Sequence, residues 1–252
     1  TKCKELWVGD NPSLGPYVGI AREAFKESGM EEAAYRGGAD KVIYFDETAT
    51  VEVDIPNGMV FRKAKIFKPI FDADVIINLP KMKVHLAGVV TLGLKNWNGI
   101  IPYEHPSGQQ QGAHRIDLGY KFADLYRAVK PNLTLVDGII GMEGQGPHAG
   151  EPVVMNLIIA GKDTVAVDAE TSAIMGFDPF EIPSIRCAHT YRLGVADLRE
   201  IEVKGARIED VRRFFKRATS DPTGLFEKIH VWVQQTCPGC YCNIRGALDL
   251  FR

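Results

Sequence analysis

Between Asn78 and Pro102 the chain reads NLPKMKVHLAGVVTLGLKNWNGIIP, and Lys81, Lys83, His85, Lys95 and Asn96 fall inside that span. Three ammonium groups and an imidazole so close together make a local positive site, suited to a phosphate, a carboxylate or an anionic cofactor. Lys and His also transfer protons near neutral pH once their surroundings tune them. Lys83, His85 and Lys95 are therefore expected as catalytic groups, with Lys81 and Asn96 binding the ligand. The competing reading is a solvated basic loop with a surface histidine, because the spacing matches no standard catalytic signature.

A second set of polar residues lies further on. The stretch GMEGQGPHAG, from Gly141 to Gly150, reads as a long glycine-rich loop whose backbone N–H groups can approach a ligand. Its spacing fits neither a dinucleotide fingerprint nor a phosphate-binding Walker loop, and a plain surface loop is the alternative. Gly146 and Pro147 are expected to line the pocket, and Asp137, directly after the apolar run LTLV, is expected as a catalytic carboxylate at a strand end. Asp163 reads as a helix N-cap. Asp168 sits among Val165, Ala166, Val167 and Ala169, so it reads as a partly buried, ligand-binding carboxylate that one of the lysines would pair. His114 closes the polar stretch 103–113 and is expected to bind the ligand, whereas His105, His189 and His230 read as ordinary surface or packed histidines. No nucleophile-elbow pattern supports a Ser–His–Asp hydrolase.

The chain ends on a third constellation, CPGCYC, with Cys237, Cys240 and Cys242. Cys-x-x-Cys is a recurring metal and redox spacing, and a third thiolate strengthens it. An iron–sulfur cluster or other metal ion, a disulfide, and free thiols all remain open. A fourth ligand would have to come from Cys3, Cys187, a histidine or a partner chain, and Cys3 and Cys187 read as ordinary buried thiols.

These residues need elements to hold them. Val75–Asn78 reads as a buried strand ended by Pro80, which would place the lysines on the loop at its carboxyl end, followed by a helix over 88–96. Strands are expected over 6–8, 41–45, 133–136, 156–160 and 201–203. Helices are expected over 20–28, 116–129, 164–175, 183–191 and 208–217. Asn57-Gly58 marks a hairpin between 50–54 and 59–66. The alternation predicts an α/β fold: a mostly parallel central sheet with helices on both faces, a small β-hairpin, and an irregular Cys-containing C-terminal tail. We read 1–217 as the α/β domain and 218–252 as the tail.

The bulk composition sets limits. The 252 residues are 45% hydrophobic and 25% charged, enough for a sizeable core. A formal net charge of −2 provides no global field toward nucleic acid or anionic lipid, so neither partner is expected. No apolar run is long enough for a membrane span, and a cytoplasmic location is expected. The first residues lack a Met and enter a strand-like run almost at once, so a true start upstream is expected, where an export signal would lie if there is one.

The run DADVIINLPKMKVHLAGVVTLGLKNWNGIIP resembles the signature of domain-of-unknown-function family number 362. LTLVDGIIGMEGQGPHAGEP and GKDTVAVDAETSAIMGFDP agree with the family in the same order. The resemblance implies an α/β domain that often occurs beside iron–sulfur ferredoxin modules, and it implies no particular reaction. Members usually begin with a further strand and a Lys-Pro-Asn segment absent upstream of Leu6; Lys130-Pro131-Asn132 precedes a later strand. The order His85, Gly88, Lys95, Pro102 also bears a fainter likeness to nickel-pincer lactate racemases, without their glycine pair before the Lys or the Gly after the Pro. The expectation is a metal-associated redox enzyme or accessory domain binding an anionic small ligand, with a ferredoxin-like electron-transfer partner. The alternative is a non-enzymatic binding or docking module.

Overall fold

The computed structural model describes residues 3–11, 19–102 and 118–219, with isolated residues 229, 244 and 248 beyond. It opens on a parallel pair, β1 (Trp7–Asp10) and β2 (Lys41–Tyr44). Parallel neighbours need a crossover, and α1 (Ile20–Glu27) and α2 (Met30–Arg36) lie in it. Ala21 and Phe25 of α1 are buried in a small cluster with Tyr44. Gly29, expected to end the first helix, sits between the two with φ 71°. That left-handed conformation costs glycine little.

The expected hairpin is present as β3 (Thr50–Asp54) against β4 (Lys63–Phe67), antiparallel, with Asn57 at φ 59° in the connection. Its second strand starts four residues later than expected because the backbone donors before it are taken. Met59, Val60 and Phe61 donate their N–H groups to the Asp124 carboxylate at 3.0, 2.7 and 3.0 Å. Ile55, Phe61, Ala64 and Ile66 pack with Trp97, Ile100, Ile101 and Leu125.

The α/β class holds. After α3 (Pro69–Asp72), the central sheet gathers β5 (Ile77–Asn78), β6 (Lys81–His85), β7 (Val89–Thr91), β8 (Leu133–Gln145) and β9 (Ala149–Gly161). β5 and β6 run in succession along β8, both parallel to it, with Ile77 opposite Leu133 and Lys81 opposite Asp137. β7 adds antiparallel to β6, and β9 adds antiparallel to β8. α4 (Gly93–Asn96), α5 (Leu118–Ala128), α6 (Thr164–Ile174) and α7 (Pro183–Thr190) supply the helical layers, and α8 (Ile208–Val211) is a single turn. The main core joins Met82, Val84, Val90 and Val136 of the sheet to Phe122, Tyr126, Val165, Ile185 and Ala188 of the helices.

Several local expectations are corrected. Pro80 does not end the strand region: its carbonyl accepts the Asp137 N–H at 2.9 Å, and the chain resumes as β6. Proline lacks only a donor, and at a break between two short strands that loss is tolerated. Lys81 and Lys83 therefore stand on a strand, and the expected helix over 88–96 is a β-turn-β return followed by one helical turn, which carries Lys95. The glycine-rich stretch 141–150 is not a loop but the tip of the β8–β9 hairpin, paired from Gly141 opposite Val153 to Gln145 opposite Ala149. The apolar strand over 75–78 is not buried throughout, since Val75 and Ile77 are exposed. Residues 201–203 form no strand. The helix expected over 208–217 stops at Val211 because the chain beyond it pairs elsewhere. Arg213 and Phe215 donate their N–H groups to the carbonyls of Ile174 and Met175 at 2.9 and 3.0 Å. Among the described residues, no helix is long and apolar enough to cross a membrane.

Candidate functional site

β6 alternates as a strand should. Met82 and Val84 are fully buried in the core, and Lys83 lies on the other face, directly opposite Thr91 of β7. Thr91 is buried, and its hydroxyl has no hydrogen-bond partner among the described residues. Asp10, at the carboxyl end of β1, faces Lys83. Burial pushes the Asp10 carboxyl up, with the Asn11 N–H and then the Lys83 charge opposing. Lys83 is half-buried, and burial lowers its pKa; Asp10 opposes that shift and Lys81 adds to it.

Lys95 is presented by α4, a turn too short to stand alone. Its start is fixed by Asp168, whose Oδ1 accepts the Gly93 N–H at 2.7 Å and Oδ2 the Leu94 N–H at 2.8 Å. Asn78 donates to the Gly93 carbonyl at 3.0 Å and accepts from Asn96 Nδ2 at 2.8 Å. Burial drives the Asp168 carboxyl up to about 7 against the pull of those two N–H donors. The lysine partner expected for Asp168 is replaced by backbone. Gly93 is needed because a Cβ there would lie 2.6 Å from Thr164 Cγ2 and 2.9 Å from Asp168 Oδ1.

His85 is buried, and its Nδ1 accepts the N–H groups of Ala87 and Gly88 at 3.0 and 3.1 Å. Nδ1 is therefore the unprotonated nitrogen. The Lys95 stem runs past the same turn, since a Cβ on Gly88 would sit 3.7 Å from Lys95 Cδ and 3.8 Å from His85 Nδ1.

The group that completes the cluster is Lys121 of α5. It is fully buried, and Nζ has no hydrogen-bond partner among the described residues. Lys121 Nζ and Lys95 Nζ lie 6.0 and 5.7 Å from the centre of the same Phe122 ring. Burial and then the Lys95 charge bring Lys121 down to about 7. Burial and then the Lys83 charge bring Lys95 down to about 8. Lys83, Lys95 and Lys121 thus form a run of amines that feel one another, with Asp10 facing one end.

Other expected residues are placed differently. Lys81 and Asp137 form an ion pair at 2.7 Å on an open surface. Burial raises the Asp137 carboxyl, but the Lys81 bond and the Ile139 N–H outweigh it and hold it below its usual range. Gly146 turns its backbone against the Val84 carbonyl, so it serves the packing of the β8 tip on β6, and Pro147 follows it through a cis peptide bond. Asn96 is tied to Asn78. Asp163 caps α6 as expected, accepting the Val165 N–H at 2.8 Å. His114, Cys237, Cys240 and Cys242 lie outside the described residues. Among the described residues, no three His, Cys, Asp or Glu side chains group closely enough to hold a metal ion. Open grooves of about 400 Å3 beside Tyr35 and Tyr44, and about 510 Å3 around His189 and Leu193, contain none of the expected site residues.

Sequence reasoning missed Lys121, Asp10, Thr91 and Asn78. A signal for Lys121 was present: it lies three residues after Leu118 and four before Leu125, inside the apolar stripe of its helix. Asp10 at the end of a short strand was a weaker one.

A family model described as "Domain of unknown function (DUF362)" matches residues 1–173, a span that takes in Asp10, Lys83, Lys95, Lys121 and Asp168. The chain is 29% identical over 196 residues to "Thylakoid-associated protein sll1697" of Synechocystis sp. (strain ATCC 27184 / PCC 6803 / Kazusa), a stretch covering 75% of this chain and 56% of that protein. The chain therefore spans little more than half the length of that relative. No solved structure matches the chain.

Proposed function

The chain belongs to the DUF362 family, and we propose that its α/β unit binds an anionic small molecule, bearing a phosphate or a carboxylate, in a recess bordered by Lys83, Lys95 and Lys121. The observation that carries this reading is the fully buried Lys121 amine, unpartnered among the described residues and set beside a second lysine on one aromatic ring. An uncompensated ammonium is expensive away from water. Three neighbouring amines, with the Asp10 carboxyl near Lys83, leave a positive surplus that an incoming anion neutralises. Amines near 7 and 8 also take up and release protons at neutral pH, so the recess has the means for acid–base catalysis as well as binding. This favours an enzyme or an enzyme-like accessory domain over a docking module, which would leave these lysines scattered on the surface.

Titration calorimetry with inorganic phosphate and with acetate tests the reading. Wild-type protein binds at least one of them, and Lys121→Met weakens that binding on the order of tenfold or more, as the loss of a charge-assisted contact does. Equal affinity in the variant would sink the assignment, and so would silence in the wild type.

The Cys-x-x-Cys spacing and the third cysteine support a separate proposal: Cys237, Cys240 and Cys242 hold an iron–sulfur cluster or another metal ion and face a ferredoxin-like partner. Anaerobically purified full chain is expected to contain iron and acid-labile sulfide, or else another metal such as zinc, and Cys240→Ser to lose it. Metal-free wild-type protein would remove this proposal and leave the anion site intact.

A further inference from the structure

We propose that the exposed apolar face of the sheet formed by β5, β8 and β9 is a homodimer interface, on which a second copy of this chain seats the same face about a two-fold axis. The proposal stands apart from the anion site and does not depend on it.

Strand register fixes which side chains share that face. Residues directly opposite one another on paired strands point the same way, and so do alternate residues along one strand. Lys81 stands opposite Asp137, and Asp137 opposite Ile158; further along, Ile140 stands opposite Val154. Ile77 stands opposite Leu133, which alternates along β8 with Leu135 and Asp137. The residues that point the other way, Met82, Val136 and Val153, are buried in the main core with Phe122, Val165 and Ile185 of the helices. Helices thus cover one face. On the opposite face Val75, Ile77, Leu79, Ile140, Val154 and Ile158 are 46% to 63% exposed. A monomer rarely leaves so many large aliphatic side chains together, and such a patch marks an interaction surface. Two sheets with apolar faces pack on one another at about 10 Å.

The charges within the patch select the occupant. Lys81 and Asp137 pair there at 2.7 Å, and their side chains are 46% and 44% exposed, so a partner can reach both. One cation beside one anion gives an acidic partner, a basic partner or an anionic lipid headgroup as much repulsion as attraction. A second copy rotated about a two-fold axis through the pair is different. Asp137 of each copy then meets Lys81 of the other, and the aliphatic side chains around them meet their own kind. The face is complementary to itself, as a two-fold contact requires.

Analytical ultracentrifugation of the full chain tests this. At ~50 µM, ample for a standard-sized interface, the expected species has twice the 27.9 kDa mass of one chain. Ile158→Lys changes a side chain that is exposed in the single chain, so it is expected to fold by circular dichroism. It should weaken association on the order of a hundredfold, because it sets an unpaired ammonium inside the contact. Lys81→Glu and Asp137→Lys each bring like charges together across the axis and are expected to be monomers on their own. Mixed in equal amounts they are expected to associate again, since each then meets the opposite charge. A wild type that stays monomeric overturns the proposal, and if that monomer floats with neutral phosphatidylcholine vesicles the face belongs to lipid. A dimer that Ile158→Lys leaves unchanged overturns it by placing the contact elsewhere. Folded charge variants that fail to associate on mixing overturn it too.

Discussion

At the scale of single residues, the cost of Lys121 is where the site meets stability. Its amine has a pKa of about 7 in the folded chain, against about 10.4 in an unfolded one. Between those values the unfolded chain holds a proton that the folded chain lacks, so stability rises with pH across that window. Below about 7 both states are protonated and the penalty is present in full. Lys121→Met is therefore expected to be more stable than wild type at pH ~6 and to flatten the rise toward pH ~10, by up to about 4 kcal/mol. Urea midpoints at a series of pH values measure it; equal slopes in both proteins would contradict the buried amine. Asp168 gives the opposite lesson. Asp168→Asn leaves one acceptor for two N–H donors and turns an amide N–H2 toward the other. We expect a loss of about 2 kcal/mol, with faster amide exchange at Gly93 and Leu94.

At the scale of elements, the site depends on how tightly α4 seats against β8 and α6. Gly93 leaves no room for a methyl group, because Thr164 Cγ2, Asp168 Oδ1 and Thr134 Cγ2 would lie 2.6, 2.9 and 3.0 Å from it. β-branched threonines joined by their own hydrogen bond at 2.8 Å cannot swing aside cheaply. Gly93→Ala is expected to cost about 1–3 kcal/mol by overpacking and to weaken phosphate binding by shifting Lys95. A variant that melts and binds like wild type would show that α4 has freedom the packing denies. α5 works on two neighbours at once: Lys121 is buried beside the Phe122 ring that Lys95 also approaches, while Asp124, three residues on, holds the loop of the β3–β4 hairpin through three N–H groups.

At the scale of the whole molecule, the segment after α8 closes over the far end of the sheet. Phe215 is buried against Gly141, and the buried Glu143 accepts the Lys216 N–H at 3.1 Å with Arg213 and Lys216 charges at 3.6 and 3.7 Å. Phe215→Ala is expected to cost about 3 kcal/mol, as truncating a buried aromatic does. It should open the chain near 212–217 to limited proteolysis while the unfragmented protein keeps its phosphate affinity. A loss of affinity would mean that this clasp and the recess are one cooperative unit.

The sequence by itself determined what is local. It placed α1, α5, α6 and α7 within a few residues, because their apolar positions recur at helical spacing. It marked the β3–β4 hairpin through Asn57-Gly58, and the Asp163 cap through a carboxylate two residues ahead of the N–H it accepts. The density of Lys83, His85 and Lys95 alone left a basic loop and an anion site equally open. Tertiary structure decided the rest, for reasons that sit far away in the chain. Residues 141–145 are strand because 149–153 pair with them, and glycine composition alone reads as loop. Residues 213–215 leave the helix because carbonyls at 174 and 175 accept their N–H groups. Val75 and Ile77 are apolar yet exposed, since hydrophobicity does not say which face another layer will cover. Lys121 stood in an apolar stripe that any reader could mark. Only packing α5 into the core turned a lysine on the wrong side of a helix into a buried amine near Lys95, because burial is a property of what the rest of the chain brings up against a residue.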